Sequence, residues 1–311
     1  MFGKTMVIVN PAARSGKAAE AAAQAKLVFE RLQAQRAIAE EAVFRYTVGP
    51  KDATAIAKHE GTAFDTVVVL GGDGIVNETV NGLMGIKKAI RPQLALIPCG
   101  NGDDFARTIG MDRSPKRSLQ QLEAQELKPV CIDVVNANGA WYAETLSFGL
   151  DAAIALGTAE LRKKTNRTGT TLYLQCGIDQ LVNHRVVRKG TLQLDGGEPQ
   201  NIEFYLFAVQ NGISYGGGFK ICPEASLTDG LIDICYATPP LSASAAIRLL
   251  LKAKNGKHTN HANLCFTKAQ SVQLTLSEPI PTQIDGEAFP DTKYHIVVHP
   301  NELTVLMPSI Q

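Results

Sequence analysis

The chain has 311 residues, of which 45% are hydrophobic and 20% charged, with 31 basic against 30 acidic residues. This is the composition of a folded protein, and its length favours two domains at about 150 residues each. The near-neutral charge argues against a nucleic-acid-binding protein, because binding to phosphates requires an excess of basic residues. The cysteines form no CxxC pair, no secretory signal precedes them, and no apolar stretch reaches the roughly 20 residues that span a bilayer, so we expect a cytoplasmic protein.

The first part of the chain alternates between strand and helix signals. Short β-branched or aliphatic runs predict strands, and segments with helical composition or spacing follow them. The predicted strands are Thr5–Val9, Thr66–Leu70 and Gln93–Pro98, and the predicted helices are Gly16–Gln35 and Ile75–Gly85. This order predicts a Rossmann-like α/β domain with a parallel sheet over residues 1–130, which binds its ligand at the carboxyl ends of the strands.

The second part of the chain is richer in strands. We predict strands at 130–135, 140–148, 186–194, 202–209, 231–236 and 271–276, and helices at about 151–162, 173–184 and 243–254. Many short strands with few helices favour an antiparallel sandwich or barrel-like domain over residues 131–311. The last predicted strands, 294–298 and 302–307, fit either domain.

The first of three notable loops joins the first strand to the first helix. It reads Asn10-Pro11-Ala12-Ala13-Arg14-Ser15-Gly16-Lys17 and lacks the first glycine and the final Ser or Thr of a Walker A loop. Small residues and two cations at a helix start nevertheless suit phosphate, although an ordinary turn explains the same residues.

The second loop follows the most apolar strand. Gly71, Gly72 and Gly74 surround Asp73, and Asn77 and Glu78 come next. Glycines without Cβ atoms let a nucleotide approach the backbone. A tight turn explains one or two of these glycines but not the aspartate among them, so we favour nucleotide binding.

The third loop contains Gly100, Asn101 and Gly102, followed by Asp103 and Asp104. Adjacent carboxylates repel each other, which favours a bound cation or a proton relay, while helix capping is the structural alternative. Further along, Asp229-Gly230 and Asp285-Gly286-Glu287 supply oxygen ligands of the kind that Mg²⁺ prefers, although both are also hairpin-turn sequences.

In this order, the motifs resemble those of the diacylglycerol kinase catalytic-domain family, in its bacterial soluble lipid kinase branch, which is related to sphingosine kinases. The resemblance covers nearly the whole chain, through Asn-Pro…Ser-Gly-Lys, Gly-Gly-Asp-Gly…Asn-Glu, Pro-x-Gly…Asp-Phe-Ala-Arg, Gly-Gly-Gly…Asp-Gly-Leu-x-Asp and Asp-Gly-Glu. Such a resemblance implies an α/β domain like that of phosphofructokinase or NAD kinase, a β-sandwich domain, and a cleft that binds ATP.

The resemblance also implies roles for individual residues in ATP- and Mg²⁺-dependent phosphorylation of a lipid hydroxyl. Asp229 anchors Mg²⁺ in this reading, with the backbones of Ser226 and Leu231. Glu287 accepts the proton of the hydroxyl, and Asp73 is the competing base. The implied nucleotide-binding residues are Asn10, Pro11, Ser15, Gly16, Lys17, Thr47, Gly71, Gly72, Asp73, Gly74, Asn77, Glu78, Gly100 and Asn101.

Three positions depart from the family pattern in the nucleotide loops. Ile75 stands where the family usually has Thr, Asn101 replaces another Thr, and Asp103 replaces Asn. Two hydroxyls are therefore absent near the nucleotide and one negative charge is added. These departures motivate one alternative, a non-catalytic nucleotide- or lipid-binding regulator.

A second alternative is an NAD-kinase-like enzyme with a soluble substrate, because NAD kinases carry similar glycine loops. For a lipid kinase, diacylglycerol is the leading acceptor, with a sphingoid base or phosphatidylglycerol next. We expect transient contact with the inner membrane face, no nucleic-acid partner, and a homodimer as a further option. The basic residues proposed for membrane contact, near Leu172, Tyr173 and Leu174, are Arg162, Lys163, Lys164, Arg167, Arg185, Arg188 and Lys189.

Overall fold

The computed structural model describes residues 2–165 and 170–308. The side chains of Ser15 and Lys163, and all of Arg167, lie outside this description. The chain forms two compact units: unit 1 comprises the residues up to Ile132 together with the segment from Asn301 onward, and unit 2 comprises Asp133–Pro300. The sequence predicts the first boundary near residue 130 and leaves the last strands open to either domain.

Unit 1 is built on a parallel sheet. Its elements are β1 (Thr5–Val9), α1 (Lys17–Ala34), β2 (Val43–Tyr46), α2 (Asp52–Glu60), β3 (Thr66–Gly71), α3 (Asp73–Met84), β4 (Gln93–Pro98), α4 (Asp104–Thr108), α5 (Pro115–Glu123) and the first part of β5 (Leu127–Ala137). The strand order is β2-β1-β3-β4, with parallel pairing throughout. All residues of β1 and β3 are buried, as their apolar sequences predict.

Unit 2 contains two antiparallel sheets. Its elements are the end of β5, β6 (Ala140–Tyr142), β7 (Thr145–Gly149), α6 (Leu150–Thr165), α7 (Thr170–Asn183), β8 (Arg188–Leu194), β9 (Gln200–Phe204), β10 (Leu206–Gln210), β11 (Ile232–Ala237), α8 (Ala243–Ala253), β12 (Leu264–Ala269), β13 (Ser271–Leu276), β14 (Thr282–Ile284), β15 (Glu287–Ala288) and most of β16 (Lys293–Pro308). One sheet has the order β16-β13-β8-β9 and the other β12-β11-β10-β7-β14-β15.

The second of these sheets is covered on both faces. Phe148, Phe207 and Ile234 lie on one face, in a core shared with strands of the other sheet. Because side chains alternate along a strand, Ala208 and Cys235 lie on the opposite face, in a second core with residues of α6, α7 and α8. The predicted sandwich is confirmed, with a layer of helices on its second sheet.

Four strand predictions were wrong in their bounds. Residues 140–148 form two strands rather than one, and residues 202–209 are divided by a bend at Tyr205. The last two predicted strands form the single strand β16, which supplies residues to unit 2 and then pairs in parallel with β4 at Val305. Asn301 interrupts the sequence pattern but takes a φ of 53°, which asparagine tolerates, so the strand continues through it.

Candidate functional site

Three loops of unit 1 leave neighbouring strands at the same edge of the sheet. Val9 pairs with Leu70, and Gly71 pairs with Pro98, so the ends of β1, β3 and β4 are level. After β1 the chain goes to β2 on one side and then returns to β3 on the other. The carboxyl ends of β1 and β3 therefore form the point of reversal at which parallel sheets bind ligands. The structure brings the three predicted loops together there.

The two glycine loops are in close contact. A Cβ atom on Gly72 would stand 2.9 Å from the Cα atom of Gly100, and a Cβ on Gly100 would stand 2.5 Å from the Cα of Gly72. Real Cβ atoms do not approach other atoms so closely, and both positions therefore require glycine. The amide N–H of Cys99 donates to the carbonyl oxygen of Gly71 at 2.7 Å and joins the loops further.

Gly74 differs from these two glycines. It lies in the first turn of α3 with a φ outside the left-handed region, and no described atom lies within 4 Å of where its Cβ would stand. The fold itself does not require glycine at this position. Space that the protein leaves open beside a helix N-terminus suits a phosphate group, because N–H groups and the positive end of the helix dipole point there.

Asp73 has a structural contact in this loop cluster. One of its carboxylate oxygens, Oδ1, accepts the backbone N–H groups of Asp104 at 2.8 Å and Phe105 at 3.3 Å, at the start of α4. Burial raises the pKa of Asp73, and hydrogen bonds from backbone N–H groups lower it in part. Asp73 thus joins the second loop to the third, which limits its freedom to act as a base.

Asp103 is buried in a strained conformation beside Asp73. Its φ is 51°, and its Oδ1 accepts the backbone N–H of Gly100 at 2.8 Å. Burial and the neighbouring Asp73 raise the pKa of Asp103 to about 6, against the opposing effects of the Gly100 N–H, Arg113 and Arg14. The position that departs from the family pattern therefore carries an acid that titrates near neutral pH.

The first loop brings two cations to this edge. Residues Ala13–Gly16 form a short 3₁₀ turn, and Oδ1 of Asn10 accepts the Ala12 N–H at 3.1 Å. Burial raises the pKa of the Cys99 thiol in the third loop, while Arg14 and Lys17 partly lower it through their charge. Arg14 and Lys17 are themselves exposed, as groups that bind phosphate from solvent must be.

Four other predicted nucleotide-binding residues, Thr47, Asn77, Glu78 and Asn101, lie in or after elements of unit 1. Thr47 follows β2 and donates its N–H to Val9 at 2.9 Å, and half-buried Asn101 lies in the third loop. The carbonyl of Asn77 accepts from Asn81 at 2.9 Å. Oε2 of Glu78 accepts the Ala53 N–H at 3.2 Å, so Glu78 joins α3 to α2.

The predicted magnesium residues of unit 2 have other contacts. Asp229 accepts the Leu231 N–H at 3.1 Å, and its other oxygen lies 2.9 Å from the Lys268 ammonium. Lys268 also lies 3.1 Å from Asp233, and the Ser226 hydroxyl is 3.4 Å from that of Thr228. Within residues 2–165 and 170–308, no three His, Cys, Asp or Glu side chains are placed to hold a metal. Lys268 is therefore the counter-ion of Asp229 in this structure, and the magnesium site stays a prediction.

Glu287 lies directly after a two-residue hairpin turn. Ile284 pairs with Glu287, and the turn residues Asp285 and Gly286 have φ values of 43° and 93°. Asp285 accepts the N–H of Thr145 through Oδ1 at 2.8 Å. Glu287 is exposed to solvent on this hairpin. Asp285-Gly286 is therefore a turn, as its sequence allows, and the exposed carboxylate of Glu287 follows it.

A cavity in unit 2 was missed by the sequence analysis. It lies among α6, α7, α8 and the adjacent sheet, and aliphatic and aromatic side chains such as Ile154, Phe219 and Leu249 form most of its wall. The volume of the cavity that the centre of a water molecule can occupy is about 60 Å³. One water needs ~10–15 Å³ on that measure, so the cavity takes part of an acyl chain rather than a whole one.

Asp151 and Arg185 are among the polar groups that line this apolar cavity. Asp151 accepts hydrogen bonds from Tyr215, Ser147 and Tyr173, and burial raises its pKa to about 6 in spite of them. Oδ2 of Asp151 has no hydrogen-bond partner among the described residues, nor has Nη1 of Arg185. A ligand with an apolar body and a polar end would satisfy both.

The Gly216–Gly218 run has a packing role beside the cavity. A Cβ on Gly216 would stand 2.5 Å from the Tyr173 ring, and Gly216 has a φ of 64°. Glycine there makes room for the tyrosine that donates to Asp151. Asp151 is the first residue of the predicted helix 151–162, shortly after the predicted strand 140–148, and this position was the signal available in the sequence.

The comparisons with known proteins agree with this geometry. Residues 4–135 match the diacylglycerol kinase catalytic domain, and residues 144–307 match the YegS C-terminal NAD kinase beta sandwich-like domain. A diacylglycerol kinase of Bacillus subtilis is 30% identical over 239 residues, which are 76% of each chain.

Two solved structures resemble the whole chain. The crystal structure of a diacylglycerol kinase from Bacillus anthracis has a TM-score of 0.77 at 25% identity and covers 98% of this chain and 97% of its own. An NAD kinase from Archaeoglobus fulgidus in complex with ATP has a TM-score of 0.52 at 12% identity and covers 98% of this chain and 93% of its own, which shows likeness of fold alone.

Substitution of Gly74 separates nucleotide binding from folding. We expect Gly74→Ala to raise the KM for ATP at least tenfold and to leave the free energy of unfolding unchanged or about 0.5 kcal/mol higher, because alanine favours the helix but occupies the open space. ATP titration and chemical denaturation measure the two effects. Unchanged ATP affinity would show that no nucleotide approaches Gly74.

Substitution of Asp103 tests its raised pKa. Since the pKa is about 6 in the folded protein against an ordinary 3.8, the native state binds this proton more tightly, and the carboxyl costs stability as pH rises through that window. Asp103→Asn keeps an acceptor for Gly100 and tolerates the backbone conformation. Relative to the wild type, we expect the free energy of unfolding of Asp103→Asn to rise by roughly 2 kcal/mol between about pH 4 and pH 8.

Thermal unfolding at both pH values measures this gain. Glu40→Gln, which removes an exposed carboxyl, is the control and should change stability by less than about 0.5 kcal/mol at either pH. An Asp103→Asn effect that is equal at the two pH values would contradict the assignment.

Proposed function

The chain belongs to the diacylglycerol kinase catalytic-domain family of lipid kinases, and we propose that it transfers the γ-phosphoryl group of ATP to the hydroxyl of diacylglycerol. The observation that carries the choice of a lipid acceptor is the cavity of unit 2, with its apolar wall and its one buried carboxyl, Asp151. A soluble acceptor such as NAD would have little use for this wall. The loop cluster of unit 1 supports ATP as the donor.

The polar groups of the cavity favour diacylglycerol over the other lipid acceptors. Arg185 has an N–H group to offer, and ester carbonyls, which diacylglycerol has, accept such bonds. A sphingoid base has an ammonium group instead, which Asp151 would attract and Arg185 would repel.

We propose Glu287 as the base that accepts the proton of the acceptor hydroxyl. Its competitor Asp73 already accepts two backbone N–H groups of α4, whereas Glu287 lies exposed on its hairpin. The loops around Gly74, with Arg14 and Lys17, would bind and orient the phosphates. Mg²⁺ offsets charge on a transferred phosphoryl group in such enzymes. Its assignment to Asp229 stays a prediction, since Lys268 is the counter-ion of that carboxylate here.

Phosphorylation of a panel of acceptors tests the proposal. The protein is incubated with labelled ATP, Mg²⁺ and diacylglycerol, sphingosine, phosphatidylglycerol or NAD. We expect labelled diacylglycerol, and a loss of about 10²- to 10⁴-fold in kcat in Glu287→Gln, as for removal of a general base. Asp73→Asn should instead act mainly through stability and ATP affinity.

The controls for this assay are Glu198→Gln, which removes an exposed carboxyl elsewhere in unit 2, and Asp229→Asn. The first should retain full activity, and the second should raise the Mg²⁺ requirement only if Asp229 is the anchor. Labelled NAD would establish the NAD-kinase alternative. ATP binding without any product would establish a regulator.

A lipid kinase meets its acceptor at a membrane surface, and unit 2 has an apolar face for this contact. Ile178 and Val182 of α7, Val186 after it, and Leu251 of α8 are 38%, 53%, 48% and 50% exposed. Other residues of the same helices, such as Leu181 and Leu250, line the cavity. No helix of the described chain has the length and apolarity to cross a membrane. We propose that this face contacts the bilayer; a homodimer and a cytoplasmic location stay predictions.

The basic residues proposed from the sequence are less suited to this contact. Lys164, Arg188 and Lys189 have acidic partners, Glu160, Glu278 and Glu203. Each pair leaves little net charge at its position. Leu172 and Tyr173 are buried, so they are not available for docking. The apolar side chains of α7 and α8 take their place in the proposal.

Vesicle binding tests the apolar face. We expect Val182→Asp to weaken binding to phosphatidylcholine–phosphatidylglycerol vesicles at least tenfold, because a charge must then enter the interface. Val48→Asp, at a valine of unit 1 that is 94% exposed, is the matched control and should bind as the wild type does. Co-sedimentation at low and high salt measures both. Binding that salt abolishes, and that Val182→Asp leaves intact, would contradict the apolar contact.

A further inference from the structure

A buried chain of hydrogen bonds connects the cavity to the hairpin of Glu287. It begins at Asp151, where a hydrogen bond with the Ser147 hydroxyl opposes the rise in the pKa of the carboxyl that burial causes. Oγ of Ser147 accepts from Nε2 of Gln283 at 2.7 Å, and Oε1 of Gln283 accepts the N–H of Gly286 at 2.6 Å. Gly286 immediately precedes Glu287. Four side-chain and backbone groups thus join the cavity carboxyl to the turn that presents the proposed base.

The chain lies inside unit 2 and has well-defined geometry. Ser147 is fully buried and Gln283 is 1% exposed. They are direct cross-strand neighbours on β7 and β14, so their side chains point to the same face of the sheet. An amide in such a place must use both its oxygen and its nitrogen, since an unsatisfied buried polar group costs ~1–3 kcal/mol. The oxygen of Gln283 accepts the N–H of Gly286, and its nitrogen donates to Ser147.

The turn depends on this amide because its own backbone is unusual. Asp285 and Gly286 both have positive φ values, and the N–H of Gly286 is satisfied by Oε1 of Gln283. The N–H of Asp285 donates to the carbonyl of Thr145 at 3.0 Å. With the bond from the Thr145 N–H to Oδ1 of Asp285, the hairpin is therefore fixed at three points, one of them through the side chain that continues to Asp151.

We infer that Ser147 and Gln283 are positioning residues, which hold the Glu287 hairpin in register with the acceptor bound at Asp151. The inference rests on the proposed function, in which Asp151 binds the lipid and Glu287 is the base. Both positioning residues belong to unit 2, and the nucleotide loops belong to unit 1. Their loss should therefore change the rate of transfer and leave ATP binding as it is.

Kinetics of Ser147→Ala, Gln283→Met and the double variant test the inference. With ATP and dioleoylglycerol in mixed micelles, we expect each single variant to lower kcat about tenfold and to change the KM for ATP less than about twofold. The double variant should also lose about tenfold, rather than a hundredfold, because both substitutions break the same chain. Ser147→Thr, which keeps a hydroxyl, should retain wild-type kcat.

Thr158→Val is the matched control. Thr158 is another buried hydroxyl of unit 2, which bonds to the carbonyl of Ile154 at 2.6 Å and belongs to neither the chain nor the cavity wall. It should retain wild-type kcat. A double variant with multiplied losses, a loss equal to that of Thr158→Val, or a raised KM for ATP would overturn the inference.

Hydrogen exchange separates this inference from the proposed function. Addition of 1-oleoylglycerol, a lipid with one acyl chain, should slow amide exchange at Gly286 in the wild type and not in Ser147→Ala. If this response occurs but no lipid is phosphorylated, the proposed function fails and the connection stands. If lipid is phosphorylated but exchange at Gly286 ignores the bound lipid, the connection is refuted and the function stands.

Discussion

The contact between Gly72 and Gly100 is the constraint on which the loop cluster of unit 1 depends. Strands β3 and β4 are adjacent and level, so the loops that leave them compete for the same space. Only glycine at both positions lets the backbones pass at this distance. The approach places Asp73 under the start of α4 and Asp103 beside Asp73, and it leaves the space next to Gly74 open.

The same closeness explains the electrostatics of these loops. Asp73 and Asp103 are brought together by backbone packing, and burial raises the pKa of each. The exposed Arg14 and Lys17 lie on the first loop of the cluster. The edge of the sheet therefore combines buried acids held by backbone N–H groups with cations that face solvent.

Unit 2 uses the two faces of one sheet for different purposes. The face toward the other sheet is mostly apolar, with Phe148 and Phe207 in its core. The face toward the helices carries a polar line at Ser147 and Gln283 beside an apolar cavity. Alternation along β7 makes this possible, since successive residues point to opposite faces. Phe148 of β7 thus packs in the apolar core, while its neighbour Ser147 belongs to the polar line on the opposite face.

Local sequence signals predicted most of the fold. Long runs such as Thr66–Leu70 and the glycine loops after them identify their elements because the residues interact with near neighbours. Short elements such as β14 and β15 were missed, since two or three residues have too weak a pattern. The strand β16 was read as two, because Pro300 and Asn301 resemble a turn until the sheet on either side holds the chain extended.

What the sequence determined by itself was the pair of domain types, the three loops and the carboxylates that follow turns, all of which depend on residues close in the chain. Only the tertiary structure decided which carboxylates have other partners. Lys268 beside Asp229 and the cavity around Asp151 join residues 30 or more positions apart. Such contacts leave no periodic trace in the sequence, because they arise from strand pairing and helix packing rather than from local preference.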